Sequence, residues 1–363
     1  MFVIGLFLSY FYLLLLFLIT VGLFRFDPIQ DKVAYQQISV IVAARNEQEN
    51  IANIIEALAK QDYPLDKYEI IVVDDRSEDL TSKIVKEYIT KLQNLQLESI
   101  PVGEKGGKKR ALDLGIKRAK YPLLAFTDAD CLPGRKWLSE INRHFTEKVD
   151  VVVGYSPLLS KQNRHLIRLK NLERISIFAV SAGTLGWNYG ATCTGRNFAY
   201  RKEVFEKVGG FKGLEEIPSG DDDLMLQRIG RKARKMNFMF NQDSIVPSVD
   251  EKDLKGQINL ETRRASKWKY YPPAIKIGTA VVLLYYAIMM ILLVYSILGW
   301  LGWYNFLILL AIKSFAELLL LLSFTLKIKK TEYLLYYPIA LIIHVPYFVF
   351  FGLKGTFGRY KWR

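Results

Sequence analysis

The alternation of apolar and polar stretches divides the chain into three parts. Phe2 to Phe24 carries no charged residue, and a helix of about 20 apolar residues is long enough to cross a hydrocarbon layer about 30 Å thick. Three more apolar runs come late, roughly 277–298, 303–326 and 333–353. The first two are joined by uncharged Gly299-Trp300-Leu301-Gly302 and followed by basic Lys327-Ile328-Lys329-Lys330, a pattern that predicts an out-and-back hairpin. The last run holds Pro338 and Pro346, so a kinked, re-entrant or interfacial segment competes with a full crossing.

Between these parts, residues 25–271 are hydrophilic with short apolar runs. Ile38 to Ala43 is rich in β-branched residues and is followed, after Asn46 and Glu47, by Ile51, Ile54, Ile55 and Leu58 at helical spacing. Asn46 and Glu49 stand at the spacing of a capping box. Glu69 to Val73 predicts a second buried strand ending on Asp74-Asp75-Arg76-Ser77, before a helix carrying Leu80, Ile84, Tyr88 and Leu92. A basic, glycine-rich loop, 103–110, leads into a helix through Ala111, Leu112, Gly115 and Ile116. Leu123 to Phe126 predicts a strand that stops at Thr127 and two acids one residue apart, Asp128 and Asp130. Val151 to Tyr155 predicts another strand, and a helix follows from about 165 to 180.

Strand then helix, repeated, predicts an α/β domain with a parallel sheet. Ligands of such sheets bind outside the carboxyl ends of the strands, so Glu47, Asp75, Asp128 and Asp130 should gather along one edge. Taken alone, two acids in this spacing are more often solvated loop residues. Convergence with the other strand-end acids turns the expectation towards a hard divalent cation shared with a diphosphate, because oxygen ligands and cation then neutralise one another. Lys108, among glycines that permit close backbone approach, suits a phosphate or a nucleoside, although a solvated basic loop fits the same residues.

Composition changes this picture in three ways. The formal net charge is +14, yet much of the excess flanks the apolar runs, so anionic lipid headgroups are the expected partner and nucleic acid is not. Cys131 and Cys193 are too few and too far apart for a disulfide framework or a zinc cluster, which fits a reducing cytoplasm. No basic residue precedes the first apolar run and no small-residue cleavage pattern follows it, so it reads as an uncleaved anchor. Arg25 and Lys32 follow that run, which places the amino terminus outside and the next domain in the cytoplasm. Lys313 and Glu317 lie four residues apart on one face of an apolar helix, either as a neutralised pair or lining a path for an acceptor lipid.

The order Val72-Val73-Asp74-Asp75-Arg76-Ser77, then Gly107-Lys108-Lys109-Arg110-Ala111-Leu112-Asp113-Leu114-Gly115, then Asp128-Ala129-Asp130, closely resembles the family-2 glycosyltransferases, whose nucleotide-sugar domain has the GT-A fold. The resemblance implies that Asp75 meets the uracil, Lys108 lies near the nucleotide, Asp128 holds the ribose, and Asp130 holds a diphosphate-bound metal. Asp113 stands where the family usually has asparagine. Ser219-Gly220-Asp221-Asp222-Asp223 matches the place of the family's acidic pair, and alignment on Gly220 implies Asp222 as the general base, with Asp221 or Asp223 one residue away. The stretch Gly183, Gly186, Trp187, Gly190 and Cys193-Thr194-Gly195-Arg196-Asn197 suits a sugar or acceptor pocket or, equally, a structural turn cluster; its glycine-to-asparagine pattern is similar to the family's acceptor-side loop, which brings in Asn197 as a substrate contact. Arg264-x-x-Lys267-Trp268 resembles the Q/R-x-x-R-W motif of cellulose, hyaluronan and poly-N-acetylglucosamine synthases and ceramide glucosyltransferases, which implies an acceptor contact for Trp268 and diphosphate contacts for Arg264 and Lys267. An interfacial belt of aromatics and cations accounts for the same residues.

The expectation is therefore an α/β GT-A domain over 25–271, a transmembrane anchor over 1–24, and a carboxy-terminal membrane region over 272–363 with two or three spans and a basic tail. Its activity would be inverting transfer of a hexose or N-acetylhexosamine from a UDP-sugar to a lipid or glycan, dependent on Mg²⁺ or Mn²⁺. Such a protein belongs at a bacterial inner membrane, with room for a homo-oligomer or export partners. A catalytically inactive sugar-nucleotide sensor or assembly subunit is the rival reading.

Overall fold

The computed structural model describes residues 1–29, 34–101, 103–159, 164–217, 219–249 and 254–357. Lys32 and the end of the basic tail, on which the topology and membrane readings partly rest, lie outside them. The chain divides into two compact units, one made of 26–161 and 184–250, the other of 1–25, 162–183 and 251–363.

In chain order the first half runs α1 (Phe2–Gly22), β1 (Ile38–Ala44), α2 (Ile51–Ala59), β2 (Tyr68–Asp74), α3 (Thr81–Ile89), β3 (Leu95–Ser99), α4 (Lys108–Arg118), β4 (Leu123–Phe126), α5 (Trp137–His144) and β5 (Val151–Gly154). It continues with β6 (Leu158–Leu159), α6 (Arg164–Gly186), β7 (Phe198–Arg201), α7 (Lys202–Lys207), α8 (Asp223–Gly230), β8 (Met236–Met239) and β9 (Ser248–Val249). The last elements are α9 (Leu254–Ser266), α10 (Pro273–Ile297), α11 (Trp303–Lys327) and α12 (Tyr337–Phe357).

The first unit is built on a seven-stranded sheet in the order β3, β2, β1, β4, β7, β5, β8. β1 lies between β2 and β4, parallel to both, with Ile38 opposite Tyr68 on one side and Leu123 on the other. Both faces of these strands are covered, which is why they read as unbroken apolar runs rather than alternating ones. Chain order reverses at β1, since β2 and β3 lie to one side and β4 to the other; such a switch point leaves a crevice at the strand ends. β7 runs antiparallel to β4 and β5 and carries the chain across to the far edge. One core is formed by residues including Ile54, Ile55 and Leu58 of α2 and Trp137, Leu138 and Ile141 of α5. Gly115 lets α4 approach the sheet, because a Cβ there would lie 2.7 Å from Ile41 Cγ2.

The predicted capping box is absent. Helix α2 starts at Ile51, and Asn46 has φ 54°. Its side chain serves the neighbouring loop instead: Asn46 Oδ1 accepts from Glu78 N at 2.9 Å, and Asn46 N donates to Ser77 Oγ at 3.0 Å. These bonds lace the loop after β1 to the loop after β2, and asparagine is among the few residues that tolerate the left-handed backbone this requires.

In the second unit, α1, α10 and α11, together with 331–356, are long and apolar enough to cross a membrane. The last of these includes α12, one helix that keeps Pro346 inside it and Pro338 in its first turn. Gly183, read from the sequence as part of a loop, lies within α6 against α1, where a Cβ would stand 2.3 Å from the Ile19 carbonyl oxygen. Gly186 is the last residue of the same helix.

Lys313 and Glu317 form an ion pair of 2.7 Å, with the lysine side chain fully buried. Glu317 also accepts from the hydroxyls of Tyr12 at 2.8 Å, Tyr286 at 3.2 Å and Tyr337 at 2.9 Å. Donors from α1, α10 and α12 thus converge on a carboxylate of α11, so the pair is a satisfied joint between helices. Each partner removes part of the cost of holding charge away from water.

Candidate active site

The strand-end loops of the sheet assemble an acidic cleft edge with cations set between the acids. Asp75 follows β2 directly; its side chain is 7% exposed, Oδ2 accepts from Gly107 N at 2.8 Å, and Oδ1 lies 3.3 Å from Arg76 Nε. Asp74, the strand's last residue, is spent on structure, accepting from Ser77 N and Ser82 Oγ. Gly106 leaves room for this arrangement, since a Cβ would lie 2.2 Å from Asp75 Oδ1.

Lys108 opens α4 beside Gly107. Its Nζ donates to Asp128 Oδ1 at 2.6 Å and lies 3.2 Å from Asp221 Oδ2, joining the loop after β4 to the residues that precede α8. Burial alone would lower the Lys108 ammonium, but Asp128 and Asp221 outweigh it and hold the group above its ordinary range. Lys109 turns the other way and donates to the carbonyls of Ile217 and Ser219, tying α4 to the loop that carries the second acidic group.

Asp128 and Asp130 follow β4 with only Ala129 between them, and each side chain is about one quarter exposed. Arg196 spans the two: its Nε lies 3.5 Å from Asp128 Oδ2 and its Nη2 3.7 Å from Asp130 Oδ2. Burial would raise the Asp128 carboxyl, yet Lys108 and Arg196 keep it below its usual value. Glu47 shows the opposite balance. Burial raises its carboxyl, a hydrogen bond from Asn50 opposes this, and the charges of Asp130 and Asp128 add to the rise. The Asn50 bond is 2.9 Å long, and Glu47 N donates to Thr81 Oγ1 at 2.8 Å.

A small pocket beside these groups is lined by Lys108, Leu112, Phe126, Thr127, Asp128, Gly195, Phe198, Tyr200 and Asp221. Of the three consecutive acids, Asp221 is therefore the one at the pocket wall. Asp222 caps α8, accepting from Asp223 N at 2.7 Å, and its Oδ2 receives Gly195 N at 3.4 Å. Asp223 is buried and accepts from Thr192 Oγ1 and Cys193 N.

Asn197, expected as a substrate contact, is fully buried. It accepts from Trp137 Nε1 at 3.0 Å and donates to the carbonyls of Tyr155 at 3.0 Å and Ser244 at 2.8 Å, so its amide locks the core. Its neighbour Arg196 is the residue that meets the acids, and sequence reasoning passed it over; a cation directly after Gly195 was the available signal. Arg264, Lys267 and Trp268 belong to the other unit, at the end of α9 and in the 3-10 turn Lys267–Tyr270. There Arg264 Nη1 donates to Glu261 Oε1 at 2.8 Å.

Among the described residues no group of three or more His, Cys, Asp or Glu side chains is placed to hold a metal ion. Asp128 and Asp130 offer two carboxylates already balanced by two cationic side chains. That donor set fits a hard divalent cation whose remaining positions are filled by phosphate oxygens and water, and it does not fit an all-protein cage.

Residues 39–209 match the model of the family described as Glycosyl transferase family 2. A probable glycosyltransferase of Bacillus subtilis, YdaM, is 32% identical over 186 residues, covering 50% of this chain and 44% of that one. The beta-monoglucosyldiacylglycerol synthase of Synechocystis is 31% identical over 113 residues, covering 31% of this chain and 24% of the relative. The chain thus spans less than half the length of either curated relative. A solved mannosyltransferase from Pyrobaculum calidifontis, PcManGT, in complex with GDP-Man and Mn²⁺, superimposes with a TM-score of 0.58 at 18% identity over 98% of this chain and 96% of that one. At that identity the likeness is one of fold.

Proposed function

Since the chain carries a family-2 glycosyltransferase domain on a GT-A fold, we propose that it transfers a sugar from a nucleoside diphosphate donor to a lipid or glycan acceptor at a membrane, with inversion at the anomeric carbon. The observation that carries this reading is the alternation of charge at the strand ends: Lys108 between Asp128 and Asp221, and Arg196 across Asp128 and Asp130. Such a row neutralises itself without ligand and can be opened by one, as a diphosphate with its cation brings both signs of charge. The four apolar helices and the glucolipid product named for the Synechocystis relative favour a lipid acceptor.

In this reading Asp75 and Glu47 border the nucleoside end and Lys108 faces the diphosphate. Asp128 and Asp130 would hold Mg²⁺ or Mn²⁺, which when bound supplies charge neutralisation for the departing diphosphate. One carboxylate beside the acceptor hydroxyl must take its proton as the hydroxyl oxygen attacks the anomeric carbon. We assign that base to Asp221 in place of Asp222, because Asp221 lines the pocket while Asp222 caps a helix. Trp268, Arg264 and Lys267 are retained as acceptor-side or diphosphate-side contacts, and residues 25–271 as the cytoplasmic part.

The test is transfer by the full chain in nanodiscs, using radiolabelled UDP- and GDP-sugars, Mn²⁺ and total lipid extract. Asp221→Asn should lower kcat by at least about a hundredfold with little change in donor affinity, whereas Asp222→Asn should lower stability more than kcat. Donor binding with neither transfer nor hydrolysis, unaltered by either variant, would favour the sensor or assembly reading.

A further inference from the structure

Arg196 differs from Lys108 in how it is held. Lys108 makes a short, direct hydrogen bond to Asp128, at 2.6 Å. The Arg196 contacts, at 3.5 and 3.7 Å, are ion pairs too long for good hydrogen bonds, and its buried Nε has no hydrogen-bond partner. An arginine carries five donors in a planar fork, so a guanidinium with its Nε buried and its side chain 13% exposed, held by charge alone, keeps donors in reserve. A second unused group lies beside it, the buried Thr127 hydroxyl in the pocket wall, which also has no hydrogen-bond partner.

We infer that Arg196 is an exchangeable counter-ion: it neutralises Asp128 and Asp130 in the free protein, yields them to a divalent cation, and turns its fork onto the donor's diphosphate. This rests on the proposed function and adds to it a named diphosphate-binding residue and an order of events. Two cations cannot both be closely paired with the same two carboxylates without repelling each other, so arrival of the divalent ion displaces the guanidinium. A diphosphate bound to that ion then offers the oxygen acceptors that match an arginine fork. No bond is made or broken in the exchange; only charge partners change. Lys108 has a further partner in Asp221, outside the pair of carboxylates that takes the ion, and so keeps its place facing the diphosphate.

The test is binding, measured on the full chain in nanodiscs. Mn²⁺ alone is titrated by electron paramagnetic resonance, and then UDP, GDP and the corresponding monophosphates are titrated at saturating Mn²⁺. Arg196→Met should bind Mn²⁺ alone about three- to tenfold more tightly, because a competing cation is gone. It should bind the diphosphates at least about tenfold more weakly, with monophosphate affinity within about twofold of wild type. Arg196→Lys keeps the charge and loses the fork; it should leave Mn²⁺ affinity near wild type and still weaken the diphosphates, which guards against a folding defect in the methionine variant. Unchanged or weaker Mn²⁺ binding in Arg196→Met, with Arg196→Lys folded and indistinguishable from wild type, overturns the inference and makes Arg196 a structural cation. Should wild type bind Mn²⁺ but neither diphosphate, the proposed donor class fails, and the Mn²⁺ titration still decides whether Arg196 competes with the ion.

Discussion

Lys108 Nζ lies 2.6 Å from Asp128 Oδ1, two residues 20 positions apart in the chain whose meeting depends on the parallel pairing of β1 with β2 and β4. A helix start and a strand end are thereby joined by one charge-assisted bond at the site's centre. Lys108→Met should remove the cation that Asp128 shares with Asp221, leaving Arg196 as the charge beside Asp128. The expected result is nucleoside diphosphate affinity lower by roughly ten- to a hundredfold, as loss of about 1.5–3 kcal/mol in a charged hydrogen bond implies. Isothermal titration with UDP and GDP measures it, and wild-type affinity in the variant would remove Lys108 from the site.

Asn197 separates binding from architecture. Asn197→Ala strands Trp137 Nε1 and two carbonyls in a fully buried setting. Stability should fall by about 1–3 kcal/mol, seen as a lower unfolding temperature, while donor affinity per folded molecule is kept. Lost affinity at unchanged stability would restore the substrate role that the sequence suggested.

Within the apolar helices, Glu317→Ala should be strongly destabilising, because it leaves Lys313 buried and three tyrosine hydroxyls without their acceptor. Breaking a buried pair on one side costs about 3–5 kcal/mol, whereas replacing both members with apolar residues is often near neutral. The double variant Lys313→Met with Glu317→Leu should therefore unfold in detergent at a higher temperature than Glu317→Ala. If the single variant matches wild type, the network does not hold the helices together.

Acid stability should carry the signature of His144. Burial keeps this side chain neutral and pushes its pKa down to about 4, below the ordinary value of about 6.5, despite a hydrogen bond to the Glu140 carbonyl. The folded value is the lower one, so the neutral form's contribution is complete above pH about 6.5 and is lost as pH falls towards about 4. The loss is at most about 1.4 kcal/mol per pH unit. Urea unfolding at several pH values measures the slope, and His144→Gln should flatten it across that window.

Glu47 gives the contrary sign. Its folded carboxyl titrates above the ordinary value, from burial and then from the nearby charges of Asp130 and Asp128. The stability it contributes is therefore greatest below the unfolded value and falls as pH rises through the folded one. Glu47→Gln should unfold at a higher temperature than wild type at pH 7 and lose that advantage at pH 4, which thermal unfolding at the two pH values tests.

What the sequence determined by itself was everything fixed by local chemistry: apolar runs long enough to cross a bilayer, β-rich runs ending on acids, and the strand-helix repetition that requires a parallel sheet. Those signals need only neighbouring residues, and on them the α/β class, the four apolar helices and the strand-end placement of Asp75, Asp128 and Asp130 were legible. Tertiary structure decided what depends on partners distant in sequence. In one dimension Asn46 reads as a helix cap and Asn197 as a substrate contact, yet the first laces two loops and the second fills the hydrogen bonds of a core tryptophan and two carbonyls. Gly183 looks like a loop residue until α1 comes within reach of its missing Cβ. Arg196 lies in the stretch that singled out its neighbour Asn197, and only folding sets it beside two carboxylates, because hydrogen-bond satisfaction and charge pairing are properties of positions in space.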